Sequence, residues 1–296
     1  MTVKSTITDV AKWAGVSMKT VSRVLNGEPN VSAKTREKVE KAAKELNYSP
    51  NMAARGLASS KSYLIALLYD IPSPGYIAGI QKGAAEACQT CGYHLVVQPL
   101  DMTDEGLLRN VDGLLRRLPV DGVILTSPLC DSGEIISRLH ELDIPYIPIA
   151  PTSSHGSVPI VRMDDVKAAR EMTEALIALG HTDIGFIKGP ELHSASPLRF
   201  QGYRDAMRAA DLRINPEWIV DGAFTFDSGI AAAHKLLCLP NRPSAIFASN
   251  DDMAAGVVSV ANRKGLSLPE DLSVCGFDDT ALASIISPHR SSDSPP

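Results

Sequence analysis

Residues 7–26 read ITDVAKWAGVSMKTVSRVLN, and the organisation of the whole chain follows from them. Val10, Ala11, Trp13 and Ala14 give one short helix an apolar side, and the hydroxyl of Thr8 is expected to cap its start. Gly15 interrupts the pattern where a tight turn needs positive φ, which glycine adopts without a Cβ clash. Ser17 is placed to cap a second helix whose inner face is Val21, Val24 and Leu25. That leaves Met18, Lys19, Thr20, Ser22 and Arg23 pointing outward as a basic and polar face. The pattern is that of a helix-turn-helix, whose second helix lies in a major groove and reads base edges.

Further along, Ser32 is the expected cap of a third helix, AKTREKVEKAAKELNY (33–48), with Val39, Ala42, Ala43 and Leu46 as its buried stripe. SPNMAARGLASSKS (49–62) comes next. There Ser49 is a capping residue, and Pro50 takes the first helical position, where its missing N–H costs nothing. The helix that follows offers Ala53, Ala54, Ala58 and one large apolar residue, Leu57. At about two turns it is too short to hold in water by itself, so it reads as an element that folds on its target.

These motifs resemble the lactose-repressor (LacI/GalR) family of bacterial transcription regulators. The resemblance rests on TITDVAKWAGVSMKTVSRVLNG, on the VSAKTREKV helix, and on the Y-x-P-N-x-x-A-R-x-L segment at 48–57, and it extends over nearly the whole chain. It implies a homodimer on a palindromic operator, with two hinge helices inserting paired leucines into the minor groove at its centre. Leu57 is then the wedge that opens a central base step. Met18, Lys19 and Arg23 fall on base-reading positions. The full set expected to touch DNA is Thr8, Ser17, Met18, Lys19, Thr20, Ser22, Arg23, Asn26, Asn51, Ala54, Arg55 and Leu57. For Met18 and Leu57 the competing reading is core packing, which the inward-facing residues already supply.

Charge agrees with this division. Residues 1–61 carry eleven Lys and Arg against five Asp and Glu, while the remainder carries eighteen against twenty-nine. A basic head on an acidic body confines phosphate attraction to the head. The first six residues hold no apolar run and no stretch approaches a membrane span, so neither a signal peptide nor a transmembrane segment is expected. The five cysteines are an odd, scattered set. Cys88 and Cys91 form a C-x-x-C inside a helical pattern, with no second pair and no histidine at ligand spacing, and are read as buried, reduced thiols rather than a metal or redox site.

Beyond the hinge, apolar runs of strand length alternate with helical patterns. Strands at 63–69, 93–98, 122–126 and 146–149, with helices at 75–91, 104–118 and 135–142, make a first lobe. PTSSHGSVP (151–159) reads as a connection. A second series follows, with strands near 183–187, 218–220, 244–248 and 272–277 and helices near 165–179, 199–210, 228–238 and 252–264. Continuous apolar strands between helices argue an α/β, doubly wound parallel sheet. Two such lobes make a hinged clamshell, which in this family resembles a periplasmic sugar-binding protein. The expected domains are a helix-turn-helix at 1–48, hinge helix and linker at 49–61, one lobe at 62–160, another at 161–288, and a tail at 289–296.

Open parallel sheets bind ligands beyond the carboxyl ends of their strands. The candidates there are Asp70 and Tyr76 after the first strand, Ser127 after the third, and Arg199, Phe226, Asn250 and Asp278 in the second lobe. The resemblance matches Arg199, Asn250 and Asp278 to positions that grip the effector. The chemistry suits a sugar: a carboxylate accepts from two vicinal hydroxyls, and a guanidinium donates a planar fork. Phe226 and Tyr76 are the expected cover for the apolar side of the ring. Read singly, Asn250 serves as well to cap the next helix and Asp278 to hold a loop; a purine or phosphosugar would use the same layout.

Nothing argues for catalysis, a cofactor or a metal. Gly75, Gly79 and Gly83 fall at helical spacing, a pattern for close packing rather than a phosphate loop. The seven histidines sit in no recognisable nucleophile pattern, and Asp164-Asp165 reads as the acidic start of a helix. The expected function is a cytoplasmic, nucleoid-associated regulator, a repressor of sugar catabolism or uptake genes controlled by a small effector. The alternative is a soluble sugar-binding protein, or an α/β sugar-processing enzyme, with a vestigial head. After GFDDTALASIISP (276–288) the resemblance implies further strands and a final helix, whereas the chain reads HRSSDSPP (289–296). The expectation is an incomplete C-terminus, through a frameshift, an early stop or a lineage-specific ending, that exposes strand edges.

Overall fold

The computed structural model describes residues 5–25, 27–48, 61–70, 73–154 and 156–286. The chain divides into two compact units, Met1–Tyr63 and Leu64–Pro296.

In the first unit, α1 (Ile7–Ala14), α2 (Met18–Leu25) and α3 (Ala33–Glu45) enclose Val10, Val21, Val24, Val39 and Ala42. The cap of α1 is Thr6, not Thr8. Thr6 Oγ1 accepts from the Asp9 N–H, and the Asp9 carboxylate accepts from the Thr6 N–H at 2.9 Å, a reciprocal box. These Thr6 bonds hold the Asp9 carboxyl below its ordinary pKa. An acidic residue three positions on decides between two threonines that periodicity treats alike. Thr8 instead lies within α1, its hydroxyl 3.4 Å from the Met18 sulfur. Trp13 leaves the expected apolar side and is 45 % exposed. Gly15 has φ +65°, and Ser17 and Ser32 cap their helices through the N–H groups of Thr20 and Thr35. The third helix ends at Glu45 rather than 48, because Asn47 turns left-handed at φ +46° and the Tyr48 N–H bonds back to Ala43.

The second unit opens with β1 (Leu64–Tyr69), α4 (Pro74–Thr90), β2 (His94–Pro99), α5 (Leu107–Arg117), β3 (Gly122–Thr126), α6 (Gly133–Glu141) and β4 (Tyr146–Ile149). The chain then repeats the alternation with α7 (Asp165–Ala178), β5 (Ile184–Lys188), α8 (Ala195–Ala209), β6 (Ile219–Asp221), α9 (Phe226–Leu237), β7 (Ala245–Ala248), α10 (Asp251–Arg263), β8 (Ser273–Cys275) and α11 (Ala281–Ile286). Among the described residues the sheets run β2-β1-β3-β4 and β6-β5-β7-β8, parallel throughout. The same order therefore occurs twice. In each sheet the order reverses beside the first strand, which is where a crevice opens at the carboxyl ends. The connection after β4 returns to the first sheet, where Val161 bridges to Ile149. The tail at 289–296 lies outside the described residues.

Two expectations are corrected here. Gly79 and Gly83 face open space, and Gly75 meets only Thr280. The glycines that permit close helix packing are Gly202 on α8, Gly229 on α9 and Gly256 on α10, where a Cβ would strike the backbone of the neighbouring helix. Helical spacing shows that glycines share a face, not what lies against it. Of the cysteines, all free, Cys88 and Cys130 are buried but Cys91 and Cys238 are exposed. Cys91 is the C-cap of α4, past the last turn that the sheet covers.

Candidate functional site

The outward face of α2 is as the sequence implied in part. Met18, Lys19 and Arg23 are exposed, whereas Thr20 and Ser22 are half-buried, Thr20 through its 3.0 Å hydroxyl contact with Ser17. Arg23 lies 3.4 Å from Glu28. An exposed pair of that kind contributes about 0–1 kcal/mol, so it holds the guanidinium only weakly. Asn26, Asn51, Ala54, Arg55 and Leu57 lie outside the described residues.

In the second unit a cavity of about 290 Å³ lies between the two sheets' carboxyl ends. Six of the seven effector candidates line it: Asp70, Tyr76, Ser127, Arg199, Asn250 and Asp278. Phe226 does not. It is the first residue of α9 and is 42 % exposed, while Phe224, 6 % exposed, covers the cavity. The cause is local: Thr225 caps α9 by exchanging bonds with Ser228, and Phe224 before the cap takes φ +58° and turns inward. The capping box T-F-D-S was visible in the sequence and would have found this.

Arg199 organises the second lobe's wall. It sits one turn inside α8, which begins at Ala195 rather than at 199 as expected. Nε donates to Asp165 at 2.9 Å, Nη2 to Asp278 at 3.0 Å and Nη1 to the Ser249 carbonyl, while Phe277 covers the guanidinium at 3.7 Å. Asp165 is thus an ion-pair partner, and Asp164 is the residue that caps α7.

The sequence GFDDT explains how Asp278 reaches its place. Asp251 accepts from both the N–H and the hydroxyl of Thr280, at 2.7 and 2.9 Å. A Cβ at Gly276 would strike the Asp251 carboxylate. Asp278 and Asp279 take φ of +92° and +48°, a strained turn of the kind found at functional sites. Burial raises the Asp278 pKa against the pull of Arg199. Asn250 caps α10, its Oδ1 accepting from the Met253 N–H, while its Nδ2 donates to the Phe224 carbonyl, and it lines the cavity.

Sequence reasoning placed Ser73 at the end of the first strand without giving it a role, and missed His193, Ser194 and the segment 161–163. Ser73 donates to Asp252 at 2.6 Å across the cleft, and the Ser194 N–H reaches the Ser127 hydroxyl at 3.3 Å. His193 lies 3.9 Å from Asp70 and edge-on to Phe224. Burial lowers the His193 pKa, outweighing the opposite pull of Asp70, and burial raises that of Tyr76. These are contacts between lobes, and no local pattern announces them.

Comparison with known proteins covers both units. Residues 6–51 match the bacterial regulatory proteins of the lacI family, and 62–288 match the periplasmic binding proteins and sugar binding domain of the LacI family. The chain is 35 % identical to catabolite control protein A of Priestia megaterium over 97 % of its own length and 86 % of that protein's. It is also 35 % identical to the ribose operon repressor of Escherichia coli K12, covering 96 % and 86 %. Among solved structures it resembles the lac repressor dimer bound to operator and the anti-inducer ONPF, at TM-score 0.75 and 31 % identity over 95 % of this chain and 84 % of that one. A cellobiose complex of the regulator CelR gives TM-score 0.65 and 33 % identity over 95 % and 85 %. Among the described residues no helix is long and apolar enough to cross a membrane. With a regulatory head and a sugar-binding-type core each matched in order along one chain, the protein belongs to the LacI family of bacterial transcriptional regulators.

Proposed function

We propose that this regulator is a dimeric cytoplasmic repressor whose grip on a palindromic operator changes when the cleft between its lobes closes on a small polyhydroxylated effector. The observation that carries the reading is the cleft wall, in which Arg199, Asp278 and Asn250 from three separate elements meet Asp70, Tyr76 and Ser127 from the opposite lobe. On this reading residues 1–48 are the head, 49–61 the hinge, and 62–160 and 161–288 the lobes. Met18, Lys19 and Arg23 read bases, and Leu57 opens the operator centre. The dimer reading is supported by α4, which buries only Ile77 and Cys88 of its 17 residues and leaves Ala78, Gly79 and Gly83 outward.

Operator titrations test it. Arg23→Ala should cost about 1–3 kcal/mol on the palindrome and relax preference at one base position per half-site. Uniform weakening on specific and random DNA would make Arg23 a phosphate contact. Asp278→Asn should weaken effector binding while leaving effector-free operator binding intact; turnover of a sugar by the intact chain would overturn the regulator-only reading.

A further inference from the structure

We propose that the cleft selects an uncharged ligand, a neutral sugar with hydroxyls on one side and an apolar face on the other, and refuses the phosphorylated or carboxylated forms of the same sugar. This rests on reading the cleft as the effector site.

An anionic ligand in a buried site needs a cation whose charge the protein has not already balanced. The deepest cation is Arg199, whose three nitrogens are bonded to Asp165, Asp278 and the Ser249 carbonyl and whose face is covered by Phe277. Its single positive charge is already balanced by two buried carboxylates, so a phosphate at its remaining N–H groups would bring like charge beside them. Burial holds the His193 pKa down, so the imidazole resists taking up the proton that would make it a cation. Arg162 also lines the cavity, but it is solvent-exposed, where its charge is screened. Among the described lining residues three carboxyl groups, Asp70, Asp165 and Asp278, stand against these two cations.

The helix starts that reach the wall do not reverse this. Pro74 at the start of α4 has no N–H, and the Ser194 N–H before α8 is spent on Ser127. At α10 the acids Asp251 and Asp252 already occupy the first turn. The rest of the wall is apolar, from Ile77, Ile149, Val161, Met163 and Phe224. Carboxylates that accept from hydroxyls, beside such a surface, describe a ring with polar edges and an apolar face. A volume of about 290 Å³ lies at the small end of ligand sites, which suits a mono- or disaccharide.

Titration calorimetry on the full chain near neutral pH, with matched pairs, decides the matter: ribose and ribose 5-phosphate, glucose and glucose 6-phosphate, galactose and galacturonate, with cellobiose added. The expected result is binding by at least one neutral member and at least about tenfold weaker binding by its anionic partner, since like charge in a cavity of low dielectric is poorly screened. Asp70→Asn, with its folding checked by a thermal melt, should narrow that gap. An anionic member binding as tightly as its neutral partner, or a gap untouched by Asp70→Asn, overturns the charge rule and leaves the effector reading standing. Heat from no member of the panel overturns both, and operator binding measured on the same sample then tests the head separately.

Discussion

The two lobes share one sheet order and are sealed in different ways. In the second, α7 and α8 meet through Gly202, α9 and α10 meet through Gly229 and Gly256, and all four residues of β7 are buried. In the first, α4 buries two residues and β2 none, and Gly79 and Gly83 face open space. The same contrast continues at the cleft. Arg199, Asp165 and Asp278 tie the second lobe's wall to itself, whereas Asp70, Ser73 and Ser127 of the first lobe contact groups across the gap. Topology therefore does not decide how a sheet is covered. One lobe covers itself and ties its cleft wall internally; the other leaves a side of α4 and β2 exposed, the face assigned to the second copy in the proposed dimer.

The largest test removes the tie that sets the second lobe apart. Arg199→Met leaves Asp165 and Asp278 buried without their cation, and breaking such a group costs about 3–5 kcal/mol. Urea denaturation should show a loss of that order; a loss within error would mean that the wall is held by other contacts. A paired substitution probes helix cover. Gly229→Ala forces a methyl into the Met253 backbone and should cost about 1–3 kcal/mol. Gly79→Ala, mid-helix with room for the methyl, should instead stabilise by roughly 0.5–1 kcal/mol. Equal shifts in the two melting curves would erase the distinction between lobes.

The smallest effect is a pH dependence. Burial in the cleft lowers the His193 pKa, and on the proposed opening of the cleft it would return toward about 6.5. The open form then takes up a proton that the closed form resists. Closure is fully favoured above about 6.5 and loses ground as pH falls through the window down to the lowered value. Asp70 facing it opposes this shift, and Tyr76, Asp165, Arg199 and Asp278 share the cavity. Effector affinity should therefore fall on acidification, by less than about tenfold, and His193→Gln should flatten the profile. A rise in affinity with acid would show that the Asp70 attraction wins over burial.

Much of this molecule was legible before any coordinates. Strand runs such as GVILT at 122–126 and YIPI at 146–149 are matched residue for residue, because a parallel strand covered on both faces must be continuously apolar. Ser17, Ser32 and Gly15 declared the turns of the head because capping and positive φ are chemistry within a few residues. Asp70, Ser127 and Asn250 could be placed at the cleft because a strand's end and a ligand crevice coincide in this architecture.

What the sequence by itself determined, then, is whatever depends on neighbours along the chain: the two-fold repeat of strand and helix, most of the caps, and the list of polar residues at the strands' ends. Tertiary structure alone decided that Gly229 and not Gly79 sits against a backbone, that His193 faces Asp70 across the cleft, and that Arg199 is already neutralised by two acids on distant elements. Periodicity assigns a residue to a face with a local rule. What that face meets depends on chain segments brought together only by packing, and charge balance in a buried site is a property of the assembled set.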